Sequence, residues 1–155
     1  VEDVSTPEFL EGLLSRFGSM IPHVAELGIV LTRVTSEYAD AELPIRPEFI
    51  GDLDRRRIHT GVITTLIDSI AGVAVYGRLG KGGQIATLDL RVDYLQSAHA
   101  DSALHCRAEC YRLTTHIAFV RAQVWQDDPE VAVATALATF MRGGSRAAIK
   151  TKVTA

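Results

Sequence analysis

The stretch from His59 to Arg78 is apolar on almost every side, and it constrains everything around it. Val62, Ile63, Leu66, Ile67, Ile70, Ala71, Val73, Ala74 and Val75 fill it at helical spacing. A helix that is hydrophobic all round has to be wrapped or sandwiched by other elements. Thr64, Thr65, Asp68, Ser69 and Gly72 interrupt the run, so a membrane span is not expected.

The remaining sequence supplies a wrapper. Gly28 to Ile45, rich in Val, Ile, Thr and Tyr, reads as a strand. Ala86, Leu88, Leu90, Val92 and Tyr94 alternate cleanly with Thr87, Asp89, Arg91 and Asp93. That is a half-buried strand. Leu104 to Tyr111 and Ala118 to Val124 alternate likewise around a turn at Thr114-Thr115. Asp127-Asp128-Pro129-Glu130 marks another turn, after which Val131 to Met141 reads as a strand with a small-residue face. Before the sheet, Thr6-Pro7-Glu8 opens a helix that Gly18 should end. A short helical piece follows over Pro22 to Leu27. Gly77 to Gly83 reads as a glycine-rich turn. The fold class is α+β: an antiparallel sheet of five or six strands around one central helix.

One domain accounts for 155 residues. We expect a helical segment over 1–27, the main domain over 28–142 and a flexible tail over 143–155. A net charge of −3 gives no basic excess to engage phosphates, so no nucleic-acid partner is expected. Cys106 and Cys110 would sit roughly 13 Å apart on one strand face, too far for a mutual disulfide. Buried thiols in a reducing cytosol are expected, with no metal and no signal peptide. The chain is therefore expected to be cytoplasmic.

Gly61, Thr64, Thr65, Asp68 and Gly72 fall on one stripe of the long helix. Glycine inside a helix costs about 1 kcal/mol relative to alanine, so something should approach the backbone closely there. Asp68 admits two readings. It is either a solvated carboxylate on the wet face or, in a narrow groove of small uncharged residues, a general base or nucleophile. His59-Thr60-Gly61 opens the helix, where backbone N–H groups lack intrahelical partners and can hold an oxyanion. Asp68 lies roughly 10 Å along the axis from Gly61, so the two meet at one atom only if a second chain brings an antiparallel helix. Arg55-Arg56-Arg57 precedes the helix and reads either as a solvated run or as a phosphate contact.

Ile58 to Asp68 resembles the His-Gly-Gly…Asp signature of hotdog-fold acyl-CoA thioesterases, especially the phenylacetate-pathway type. Thr87 to Leu95 resembles the strand that follows the helix in that family. The resemblance implies a homodimer, often paired into a homotetramer, with sites at the subunit interface. It implies Asp68 as general base or nucleophile and Gly61, with its neighbour Thr60, as the amide that polarises the thioester carbonyl. His59 would position the thioester, and Thr87 would orient the attacking water. Thr60 stands where members often carry glycine, and Leu53 where many carry an asparagine that holds substrate or water. Thr60, Leu53, Thr65 and Arg57 are thus expected substrate contacts, with Arg142 and Arg146 as further coenzyme A contacts. No cofactor is expected, because coenzyme A belongs to the substrate. Two other functions stay open: a hotdog enoyl-CoA hydratase or dehydratase, and a non-catalytic acyl-CoA binding module.

Overall fold

A computed structural model describes residues 6–143 of the chain. The N-terminal region holds helix α1 (Pro7–Met20) and helix α2 (Pro22–Leu27). Thr6 caps α1 by accepting from the Phe9 amide. The helix continues two residues past Gly18, because Pro22 is the first residue that cannot prolong it.

The long helix, α3 (Thr60–Leu79), lies against the inner face of a six-stranded antiparallel sheet. By length and composition alone α3 could cross a bilayer, but most of it is buried inside the fold. The strands are β1 (Val30–Val34), β2 (Tyr38–Leu43), β5 (Ile85–Tyr94), β6 (Leu104–Leu113), β7 (Ile117–Trp125) and β8 (Ala134–Arg142). Their order across the sheet is β1-β2-β6-β7-β8-β5. Two short strands, β3 (Ile50–Asp52) and β4 (Arg57–Ile58), form a separate ribbon leading into α3. Ala39, Ala41, Leu43, Leu104, Cys106, Ala108, Val120 and Val124 bury their side chains in the core shared with α3. Burial pushes both thiols up, that of Cys110 to about 11, so these are inert core groups.

Three expectations change. The predicted single strand over Gly28 to Ile45 is a hairpin. Thr35 Oγ1 accepts from the amides of Glu37 and Tyr38 and turns the chain there. The predicted turn at Gly77 lies inside α3, which runs to Leu79 and is capped by Gly80. A Cβ on Gly77 would sit 2.5 Å from the Thr35 carbonyl oxygen, so the missing side chain lets the hairpin turn rest on the helix. The period-two run in β5 is also broken. A bulge separates Thr87, opposite Phe140, from Asp89, opposite Thr139. Inserting one residue flips every side chain before it to the other face. Thr87 therefore shares the inner face with Leu90, Val92 and Tyr94. The strand following the last turn is confirmed, and its alanines 134, 136 and 138 face the core.

The two sheet edges differ. β1 is short, bulged and packed under α1. β5 is ten residues long and exposed over much of its length, with Leu88 at 54% exposure.

Gln126 is the buried polar residue that shapes the entry to α3. Its Nε2 donates to the carbonyls of His99 and Ser102, and its Oε1 accepts from the His99 amide. The loop it pins carries Ala98, whose carbonyl accepts from the Ile58 amide just ahead of α3. Gln126→Ala leaves several buried backbone groups unpaired and should lower the unfolding free energy by roughly 2–3 kcal/mol. Urea denaturation checks this, and an unchanged midpoint would contradict the role given to Gln126.

Candidate functional site

The helix start is built by its neighbours. The His59 amide donates to the Phe49 carbonyl (2.8 Å), and the His59 backbone lies against Gly51. A Cβ on Gly51 would be 3.0 Å from both Cα and Cβ of His59. So placed, His59 is the N-cap of α3: its Nδ1 accepts from the Gly61 amide at 3.0 Å. An accepting Nδ1 leaves the imidazole proton on Nε2. The predicted close approach along the stripe is real at Gly61, where the approaching group is this chain's own imidazole. At Gly72 the neighbours, Ile85 and Phe140, stand at ordinary contact distance.

One face of α3 is left partly open by the sheet. Thr64, Thr65, Asp68, Ser69, Gly72 and Tyr76 are half-buried along it. Thr65 Oγ1 donates to the Gly61 carbonyl at 2.9 Å, and Thr64 Oγ1 to that of Thr60 at 3.1 Å. Such bonds to the preceding turn settle two polar groups without solvent. Asp68 is held differently. Thr87 Oγ1, reaching in from β5, donates to its Oδ1 at 2.9 Å. Among the described residues Oδ2 has no hydrogen-bond partner. The result is a half-buried carboxylate with one oxygen fixed and, among the described residues, the other unpaired.

At the other end of the stripe, Tyr94 Oη contacts Thr64 Oγ1 and donates to the Thr60 carbonyl at 3.3 Å. Sequence patterning gave Tyr94 only as the last apolar position of a strand. Beside it lies a cleft of about 270 Å³ lined by Arg57, Thr60, Tyr94, Gln96 and Ser97 among others. Of the arginine run, Arg55 pairs with Asp52 and Arg56 with Asp101, whereas Arg57 lines the cleft. A guanidinium beside a helix N-terminus forms a setting suited to an anionic group.

The structure thus brings together Asp68 with Thr87, and His59 with Gly61, Thr60 and Arg57. Thr65 lies between the two groups. Two other candidates belong to neither group. Leu53 projects from the tip of the β3–β4 turn at 79% exposure, where Asp52 Oδ1 accepts from the Arg55 amide. Arg142 donates to the Thr114 carbonyl at 2.7 Å. It lies at the end of β8 opposite Ile85, two positions beyond Phe140, the register partner of Thr87, and far along the strand from the end that meets Tyr94. Arg146 is outside the described residues. Among the described residues no three of His, Cys, Asp and Glu converge as a metal-binding group.

Known proteins share the sequence and the fold around this region. The family model of the thioesterase superfamily matches residues 57–133, from Arg57 through α3 to the start of the last strand. The medium/long-chain acyl-CoA thioesterase YigI of Escherichia coli is 27% identical over 139 residues, covering 79% of this chain and 86% of that protein. A crystal structure from Pseudomonas aeruginosa is 33% identical, with a TM-score of 0.77 over 87% of this chain and 99% of that one. The PaaI protein from the phenylacetic acid degradation operon of Escherichia coli has a TM-score of 0.79 over 91% of this chain and 98% of that one. At 14% identity the likeness to PaaI is one of fold alone.

Gly51→Ala tests how His59 is held. The added methyl must push on backbone, so a loss of about 1–3 kcal/mol is expected. The Gly61 amide resonance should move as its bond to Nδ1 is disturbed. A stable variant with an unmoved Gly61 resonance would contradict the contact.

Proposed function

This chain belongs to the thioesterase superfamily and is a thioester hydrolase of the hotdog fold, and from that premise we propose that Asp68 activates water to hydrolyse an acyl-CoA into free acid and coenzyme A. The observation that carries this reading is the Thr87–Asp68 hydrogen bond on the open face of α3. With Oδ1 held by Thr87, Oδ2 is the oxygen placed to take a proton from water. The water oxygen then bonds to the thioester carbonyl carbon. The carbonyl oxygen becomes an oxyanion; as the carbonyl re-forms the C–S bond breaks, and the coenzyme A thiolate leaves with the proton that Asp68 took from water.

The oxyanion needs donors, and the start of α3 supplies them. The Thr60 amide has no intrahelical partner, and the Gly61 amide is held only by His59 Nδ1. A substrate carbonyl would displace that imidazole nitrogen. The exchange favours the transition state, because a charged oxygen accepts more strongly than a neutral ring nitrogen. The displaced His59 then serves to position the thioester. Arg57 beside the cleft suits a coenzyme A phosphate.

Asp68 and Gly61 of one chain are about 10 Å apart along the axis, so one carbonyl reaches both only across two chains. The long exposed edge of β5 supports such a pairing, because an unpaired edge strand is a template for another strand. Two copies joined along β5 with α3 helices antiparallel would make a homodimer with two shared sites.

Asp68→Asn should lower kcat roughly 10²–10⁴-fold in a thiol-release assay with the fold intact. Thr87→Val, which keeps the shape but loses the donor, should lower it about 10–100-fold. Near-normal turnover by Asp68→Asn would remove Asp68 from the mechanism.

A further inference from the structure

We propose that Tyr94 is a positioning residue for the reaction: through the Thr60 carbonyl it orients and polarises the peptide group whose N–H, that of Gly61, holds the oxyanion. This inference rests on the thioesterase reading and deepens it. The Thr60 carbonyl and the Gly61 amide are the two ends of one planar peptide unit. At the nitrogen end the Gly61 N–H donates to His59 Nδ1 at 3.0 Å. At the oxygen end two hydroxyls converge. Thr64 Oγ1 lies 3.1 Å from the Thr60 carbonyl oxygen and Tyr94 Oη 3.3 Å from it, and the two hydroxyl oxygens are hydrogen-bonded to each other. Two protons thus serve three oxygens. Whichever hydroxyl donates to the other, the acceptor's own proton goes to the Thr60 carbonyl, strengthened by the bond behind it. Drawing electron density toward that oxygen deepens the amide resonance and leaves the Gly61 N–H a stronger donor.

Tyr94 does not reach α3 as a core filler. It is 44% exposed and lines the cleft beside the helix start. The strand end that carries it is fixed from β8 and the turn before it: Tyr94 pairs with Ala134, and the Leu95 amide donates to the Val133 carbonyl at 2.9 Å. β5 therefore delivers a hydroxyl to each end of the open face of α3, Thr87 to Asp68 and Tyr94 to the first turn. Thr87 and Tyr94 are an odd number of residues apart, so on an unbroken strand they would face opposite ways. The bulge between Thr87 and Asp89 turns both toward the helix. One backbone irregularity thus serves the base and the oxyanion donor together. An oxyanion donor is worth about 10²–10³ in rate, and a cooperative bond strengthens its neighbour by about 10–30%, so the Tyr94 hydroxyl should contribute about two- to eightfold. The gain falls on kcat, because a charged oxygen responds to a stronger donor more than the neutral carbonyl does.

Tyr94→Phe gives the test, since it removes one oxygen and keeps the ring that lines the cleft. Thiol release by the full chain is measured with acetyl-, phenylacetyl- and octanoyl-CoA, and kcat and KM are compared on the fastest of them. Binding is measured by calorimetry with two thioethers of coenzyme A. The trifluoroacetonyl thioether forms a hydrate that mimics the tetrahedral intermediate, and the propyl thioether has no carbonyl. We expect Tyr94→Phe to lower kcat about two- to eightfold with KM unchanged, to weaken the trifluoroacetonyl thioether by a similar factor and to leave the propyl thioether as it was. Adding Thr64→Val removes the second hydroxyl and should lower kcat further. An unchanged kcat in Tyr94→Phe overturns the role. So does a rise in KM with both thioethers weakened alike, which would make Tyr94 a wall of the substrate cleft. Absence of thiol release by the original chain, with a trifluoroacetonyl preference that Tyr94→Phe reduces, would instead remove the thioesterase reading and keep the relay to Gly61. Absence of both thiol release and that preference overturns the two together.

Discussion

Burial of α3 is the interaction on which the rest depends. Ten of its twenty residues are buried, among them Ile63, Leu66, Ile67, Ile70, Val73 and Val75. Each such side chain contributes about 1.5–3 kcal/mol when removed from water. A helix with so much apolar surface has no stable solution beside a flat, two-sided polar sheet. The strands answer it with alternating patterns whose inner residues are mostly small: Ala39, Ala41, Ala108, Ala122, Ala136 and Ala138. Small inner residues let the sheet close tightly around a bulky helix. What the sheet leaves uncovered is the narrow face bearing Asp68.

The candidate site on that face is shaped by backbone devices more than by unusual side chains. The bulge at Leu88 turns Thr87 inward, where it meets Asp68. The bare backbone of Gly51 lets the β3–β4 ribbon press against His59 and aim its imidazole at the Gly61 amide. Gln126 fixes the loop that abuts β4, which in turn leads into the first turn of α3. Charge plays a smaller part, since Arg55 and Arg56 are occupied by exposed aspartates and such pairs contribute little.

Much of this was legible in the sequence, and the exceptions have physical causes. The long helix, the period-two strands and the turns at Thr114 and Asp128 announce themselves through spacing alone. The bulge does not, because Ala86 to Tyr94 alternates without a break while the backbone skips a residue. Read by period two, Thr87 faces away from the helix; only the family resemblance placed it at the site. Thr35 hid the first hairpin, since a hydroxyl that turns the chain by accepting from two amides looks like an ordinary strand residue. The exposure of Leu53 and the bond of Arg142 to Thr114 were set by loop projection and strand register, and neither is visible in local pattern. Tyr94 and Gly51 were missed for a related reason: each acts across the fold, on groups 34 and 8 residues distant.

The central claim is that one chain's Asp68 works on a carbonyl held by the other chain's helix start. Mixing two damaged chains measures this directly. Asp68→Asn lacks the base, and Gly61→Pro lacks the amide donor while keeping a residue tolerated in a first helical turn. Each alone should be nearly inactive. Refolded together in equal amounts, half the dimers would be mixed, each with one of its two sites intact, so about a quarter of the original kcat should return. A mixture as inactive as its parents, despite verified exchange of chains, would contradict a site shared between two copies.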